Sequence, residues 1–202
     1  MSIQALIWDL EGVLLMTNEG SIPASVAKCL DAPFEAVHAV FHGEFNDRTD
    51  MGEFQHVDFW HHLLDTVGLP RSHVSKLWAH LAEDLFIDPH LLAIVRQYRA
   101  VYKTALVSNY SEVLRPMLET RWRVDDAFDE IIISHEVGLI KPMPEMFDLA
   151  LGRLGYRPHE AILIDDRIRN IEGARAHGMR AVLFESKEQM LADLERVLSR
   201  SA

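Results

Sequence analysis

Four acidic side chains and one lysine are spaced so that a folded chain could bring them together. Asp9 and Glu11 follow the apolar run at residues 5–8, and Asp165-Asp166 follow a second such run at residues 161–164. Between them in sequence lie the polar pair Ser108-Asn109 and Lys141-Pro142. Converging carboxylates repel one another unless protons or a cation neutralise them. Hard carboxylate oxygens suit Mg²⁺. A carboxylate nucleophile beside a magnesium ion and a lysine is the equipment for attack on a phosphate ester.

These groups can meet only if their runs are strands of one sheet. Continuous apolar runs at residues 5–8, 104–107, 130–133, 161–164 and 181–184 read as strands buried on both faces. Helical patterns separate the last four. Asp88 is placed to cap a helix that opens on Pro89. Ser111 opens a second helical stretch, which Pro116 tends to interrupt. Pro144 starts a third, which Gly155 ends. Strands alternating with helices imply an α/β fold with a mostly parallel sheet, Rossmann-like and flanked by helices. Ligands of such sheets bind at the carboxyl ends of the strands. Four of those ends are polar here: Asp9, Ser108, Ser134 and Asp165-Asp166.

Residues 21–86 break the alternation with helical periodicity alone. Val26, Cys29, Leu30, Phe34, Phe41, Trp60, Leu64, Leu77 and Trp78 fall at core spacing within it. The expected division is a catalytic core of residues 1–16 and 88–202, with a small all-helical cap domain, residues 17–87, inserted after the first strand. The hinges fall at 17–21 and 86–89. The polar stretch at residues 43–50 either reaches the active site, with Arg48 as a candidate substrate contact, or is an ordinary exposed loop.

Composition narrows the partners. The 202 residues carry a net charge of −11, with 49% hydrophobic and 25% charged residues. So acidic a chain suits neither sequence-independent nucleic-acid binding nor an anionic membrane surface. Apolar runs fall short of membrane-spanning length, and the N-terminus lacks the pattern of a signal peptide. Cys29 is the single cysteine, so no intrachain disulfide is possible. A reducing cytoplasm is the expected location. Eleven histidines, including His38, His42, His56, His61 and His62, show no metal-ligand spacing and read as surface or helix-packing residues.

The motifs together resemble a known family. Asp9-x-Glu11-Gly12-Val13-Leu14, Ser108-Asn109, Lys141-Pro142 and Asp165-Asp166 fall in the order of the four motifs of the haloacid dehalogenase-like (HAD) hydrolase superfamily. Ser134-x-Glu136-Val137-Gly138 and Asn170-x-x-x-Ala174-x-x-x-Gly178-Met179 are similar to its phosphatase-type branch with a helical cap after the first strand. The resemblance covers essentially the whole chain.

It implies a Mg²⁺-dependent phosphomonoester hydrolase acting on a small phosphorylated metabolite such as a sugar phosphate or nucleotide. Asp9 would form an aspartyl-phosphate. Glu11 would stand where the family has an aspartate that protonates the leaving oxygen and activates water. Ser108 and the Asn109 backbone would hold the phosphoryl group, and Lys141 would neutralise it. Asp9, the Glu11 main-chain carbonyl and Asp166 would ligate Mg²⁺, with Asp165 as a second or water-mediated ligand. The added methylene of Glu11 leaves two alternatives: a catalytically weak or inactive relative that binds a phosphorylated ligand or protein partner, or a phosphomutase. Nothing in the sequence sets the oligomeric state.

Overall fold

A computed structural model describes residues 2–199. At its centre is a five-stranded sheet in the order β5-β4-β1-β6-β7, every pairing parallel. The strands are β1 (Ala5–Trp8), β4 (Lys103–Ser108), β5 (Glu130–Ile133), β6 (Ala161–Asp165) and β7 (Arg180–Leu183). Because successive side chains point to opposite faces, the apolar runs split cleanly. Leu6, Trp8, Leu106, Ile162 and Ile164 join one core, and Ala5, Ile7, Ala105, Val107 and Leu163 the other. Helices cover both faces, which explains why the strands read as unbroken apolar runs.

On one face lie α9 (Pro144–Leu154) and α10 (Ile168–Ala176), through residues such as Phe147, Leu151 and Ile171. On the other lie α6 (Pro89–Arg99) and α11 (Lys187–Ser199), through Leu91, Val95, Met190 and Leu194. Asp88 caps α6 by accepting from the amides of His90 and Leu91 at 2.7 and 3.2 Å. Gly155 ends α9 in the left-handed region. After Ser111 the chain makes only the short α7 (Leu114–Pro116) before widening into a π-helical turn at Met117–Trp122. A four-residue helix, α8 (Ser134–Val137), follows β5.

Between the two chain crossings stand α1 (Ile22–Leu30), α2 (Phe34–Phe41), α3 (Glu44–Asp50), α4 (His56–Thr66) and α5 (Val74–Asp84). The crossings themselves pair as a short antiparallel ribbon, β2 (Leu15–Met16) with β3 (Phe86–Ile87), which the sequence pattern does not announce. The apolar core of the inserted helices is continuous with the first sheet face. No helix among the described residues is long and apolar enough to cross a membrane.

Two features differ from expectation. Residues 43–50 contain a helix rather than a loop. Glu44 and Asp47 near the N-terminus of α3, and Arg48 in its last turn, suit the helix dipole. Phe34 and Trp78, expected in the helical core, are 43% and 45% exposed.

Candidate active site

The carboxyl ends of β1, β4 and β6 converge on a lysine. Lys141 is fully buried, and its Nζ lies 2.7 Å from Asp9 Oδ1 and 2.6 Å from Asp165 Oδ2. Its main chain is gripped separately. Asn109 accepts from the Lys141 amide at 2.8 Å and donates through Nδ2 to the Lys141 carbonyl at 2.9 Å. The Asn109 side chain is thereby committed to position 141. Burial disfavours the ammonium, but Asp165 and Asp9 outweigh it and hold Lys141 protonated.

Asp9 continues β1, its amide donating to Ile164 O at 2.9 Å. Its Oδ1 accepts from Leu10 N at 2.7 Å as well as from Lys141, so Oδ2 has no donor among the described residues. Burial pushes the Asp9 carboxyl up to about 7; Lys141 opposes this, while Asp165 and Asp166 add to it.

Asp165 has no such freedom. Its Oδ1 accepts from Arg167 N and Asn170 Nδ2, and its Oδ2 from Lys141 and Asn170 Nδ2, at 2.6–3.1 Å. Four hydrogen bonds fill a carboxylate's ordinary capacity. Asp165 orients Lys141, and Asn170 orients Asp165.

Asp166 is the opposite case. Its Oδ1 is buried without a hydrogen-bond partner. Its Oδ2 lies so near Gly12 that a Cβ there would sit 2.2 Å away, and Gly12 holds φ at +77°. Only glycine suits both the backbone and the close approach. Carboxylate oxygens of Asp9, Asp165 and Asp166 all lie within 4.8 Å of one another. An orphaned buried oxygen in an all-oxygen cluster fits a hard divalent cation. Ser108 Oγ is likewise buried and unpartnered, so its hydroxyl is free to donate.

The turn after Asp9 carries Glu11 to the same cavity. Leu14 and Leu15 amides both bond back to Leu10 O, at 2.8 and 2.7 Å. Burial raises the Glu11 carboxyl above its ordinary value, against the pull of Arg167 and with a smaller push from Asp9. Arg167 stays charged despite burial because Glu11, Asp9, Asp166 and Asp50 surround it. Asp50, from α3, is pushed up to about 8 by burial and then by Glu11. The buried hydroxyl of Tyr110 is shifted upward by its burial and by the same two acids. Ser134, whose Oγ accepts from Tyr110 N at 2.9 Å, fixes the loop that presents it.

Asp9, Glu11, Asn109, Lys141 and Asp166 thus line one cavity of about 860 Å³. Residues 43–50 do reach the cavity, through Asn46, Thr49 and Asp50, whereas sequence reasoning missed Arg167, Tyr110 and His56 on its walls. Arg167 adjoins the acidic pair and could have been found from that; the others depend on tertiary packing. Arg48 is turned away, bonded to Glu53 at 2.8 Å and stacked on Phe54. His56 is neither solvent-facing nor free: Nδ1 is 2.7 Å from Ser111 Oγ and Nε2 accepts from Trp60 Nε1 at 2.7 Å.

Residues 3–178 match the family model of haloacid dehalogenase-like hydrolases. Bifunctional epoxide hydrolase 2 of Rattus norvegicus is 24% identical over 216 residues, an alignment covering 98% of this chain and 39% of that protein. The chain therefore spans well under half of that relative. The sesquiterpene phosphatase astK of Aspergillus oryzae is 26% identical over 183 residues, with 88% of each chain covered. Among solved structures, a HAD family enzyme of Bacteroides thetaiotaomicron in complex with magnesium and inorganic phosphate aligns with a TM-score of 0.70 at 21% identity, over 92% of this chain and 96% of that one.

Proposed function

The chain belongs to the haloacid dehalogenase-like hydrolases, and on that footing we propose that it is a Mg²⁺-dependent phosphomonoester hydrolase acting through Asp9. The observation that carries this reading is the pairing of Asp9, held on one oxygen by Lys141, with the unpartnered carboxylate oxygen of Asp166. Relatives named as phosphatases support it, as do the magnesium and phosphate in the Bacteroides enzyme. Dehalogenation would leave the acid at position 11 without a task.

Asp9, Asp166 and the Glu11 main-chain carbonyl would hold the metal, with Asp165 contributing through water because its oxygens are occupied. When bound, Mg²⁺ supplies positive charge against the phosphate. Lys141 adds to that charge, while the Ser108 hydroxyl and the Asn109 amide donate to phosphoryl oxygens. The Asp9 carboxylate attacks phosphorus as the ester P–O bond breaks. Glu11, whose carboxyl burial raises above its ordinary value, would in its protonated form give its proton to the departing alcohol oxygen. The resulting Glu11 carboxylate then takes a proton from water, whose oxygen attacks phosphorus and releases phosphate from Asp9.

Phosphate release from a broad panel of phosphomonoesters with Mg²⁺ tests the reading. Wild-type protein should turn over at least one of them and Asp9→Asn none. Turnover of no ester, or equal turnover by Asp9→Asn, would overturn it.

A further inference from the structure

We propose that the alcohol half of the substrate is apolar and large, of the size of a medium-chain alkyl or terpenoid alcohol, rather than a sugar or nucleoside. The proposal rests on the phosphatase reading above and adds the substrate class. It comes from what the cavity offers beyond its carboxylate end.

The cavity of about 860 Å³ lies near the top of the range of about 300–1,000 Å³ that accommodates drug-sized ligands. Phosphate and metal would occupy only its floor. The remaining wall includes Phe41, Phe59, Trp60, Leu81, Leu85 and Met117. A sugar's hydroxyls placed there would lose water without gaining partners, at a substantial cost for each.

Several polar side chains on that wall are committed to the protein itself. His56 uses both ring nitrogens, on Ser111 and Trp60. Thr49 donates to Phe45 O at 2.9 Å, and Asn46 to Asp50 at 3.1 Å. Lys141, Arg167 and Arg121 are the lysines and arginines lining the cavity. Lys141 is bound by two carboxylates and Arg167 faces four acids. Arg121 donates to Leu85 O at 2.6 Å. Lys141 is thus fully ion-paired and Arg121 engaged by a backbone carbonyl, while Arg167 lies in the field of the surrounding acids.

Phe34 and Trp78 also line the cavity while remaining 43% and 45% exposed. The apolar wall therefore continues from the buried interior to solvent. An apolar chain entering along it would cover aromatic surface that the fold leaves open. Water expelled from both surfaces would supply the affinity.

A homologous series of ethyl, butyl, hexyl and octyl phosphate, with glucose 6-phosphate and AMP beside it, tests the assignment. Each buried methylene is worth a factor of about four in affinity, so kcat/KM should rise at least ~100-fold from ethyl to octyl phosphate. Binding, read by quenching of Trp60 and Trp78 fluorescence, should tighten in parallel. Turnover that is flat with chain length, or best on glucose 6-phosphate or AMP, would overturn the substrate class and leave the phosphatase reading standing. Affinity that climbs with chain length, with no ester hydrolysed, would uphold the apolar chamber and overturn the phosphatase reading instead. If affinity does not climb with chain length and no ester is hydrolysed, both fall.

Discussion

The carboxyl of Glu11 lies buried among groups from three parts of the chain: Arg167 after β6, Asp50 on α3 and Tyr110 in the loop after β4. Such surroundings suit a glutamate at its full reach, one methylene or ~1.5 Å beyond an aspartate. Glu11→Asp should therefore lower kcat by about tenfold or more, toward the ~10²–10⁴-fold effect of losing a general acid–base group. Steady-state kinetics would show it, and a rise in kcat would mean that the native acid is poorly placed. The motif residues were legible because their chemistry repeats in a fixed order along the chain. Their division of labour was not. Asp165 and Asp166 are neighbours in sequence, yet one is saturated with donors and the other has an orphaned oxygen. Only strand direction and the close approach of Gly12 separate them.

At the scale of elements, the contact between α4 and the loop after β4 links the inserted helices to the catalytic core. The first amide of α4, on His56, donates to both Glu112 carboxylate oxygens at 2.9 and 3.2 Å. A carboxylate at a helix N-terminus satisfies an otherwise free donor and favours the helix dipole. Glu112→Ala should cost about 1 kcal/mol of stability and raise KM more than it lowers kcat, because α4 carries cavity-wall residues and no reacting group. Thermal denaturation with substrate-dependence kinetics would check it; an unchanged KM would contradict the link. The five strands were readable because burial on both faces demands uninterrupted apolar runs. The exposure of Phe34 and Trp78 was not, since helical spacing identifies an apolar face but not whether protein or a cavity meets it. Residues 43–50 left open whether they reach the site or form an exposed loop, because α3 is short and its charges suit its ends rather than forming an apolar stripe.

For the molecule as a whole, several buried acids make stability depend on pH. Asp9, Asp50 and Asp166 are raised to about 7, 8 and 6, from 3.8. The folded protein therefore binds protons that the unfolded chain releases, and stability falls as pH rises through that range. His56, lowered from 6.5 to about 4, works against this slope below its ordinary value but offsets only one of the three acids. In EDTA, Tm should fall between about pH 6.5 and 8.5, and saturating Mg²⁺ should raise Tm most at the alkaline end, where it replaces protons on Asp9 and Asp166. Calorimetry in EDTA and in Mg²⁺ would test this, and a Tm indifferent to both pH and metal would contradict it. The proposed mechanism makes a carboxylate oxygen of Asp9 the acceptor of the phosphoryl group. Acid quenching during turnover of a hydrolysed ester, followed by peptide mass spectrometry, tests that most directly. The prediction is a phosphoryl mass on the peptide containing Asp9, removed by hydroxylamine and absent in Asp9→Asn. Phosphate release at full rate by Asp9→Asn, with no labelled peptide in the wild type, would contradict it.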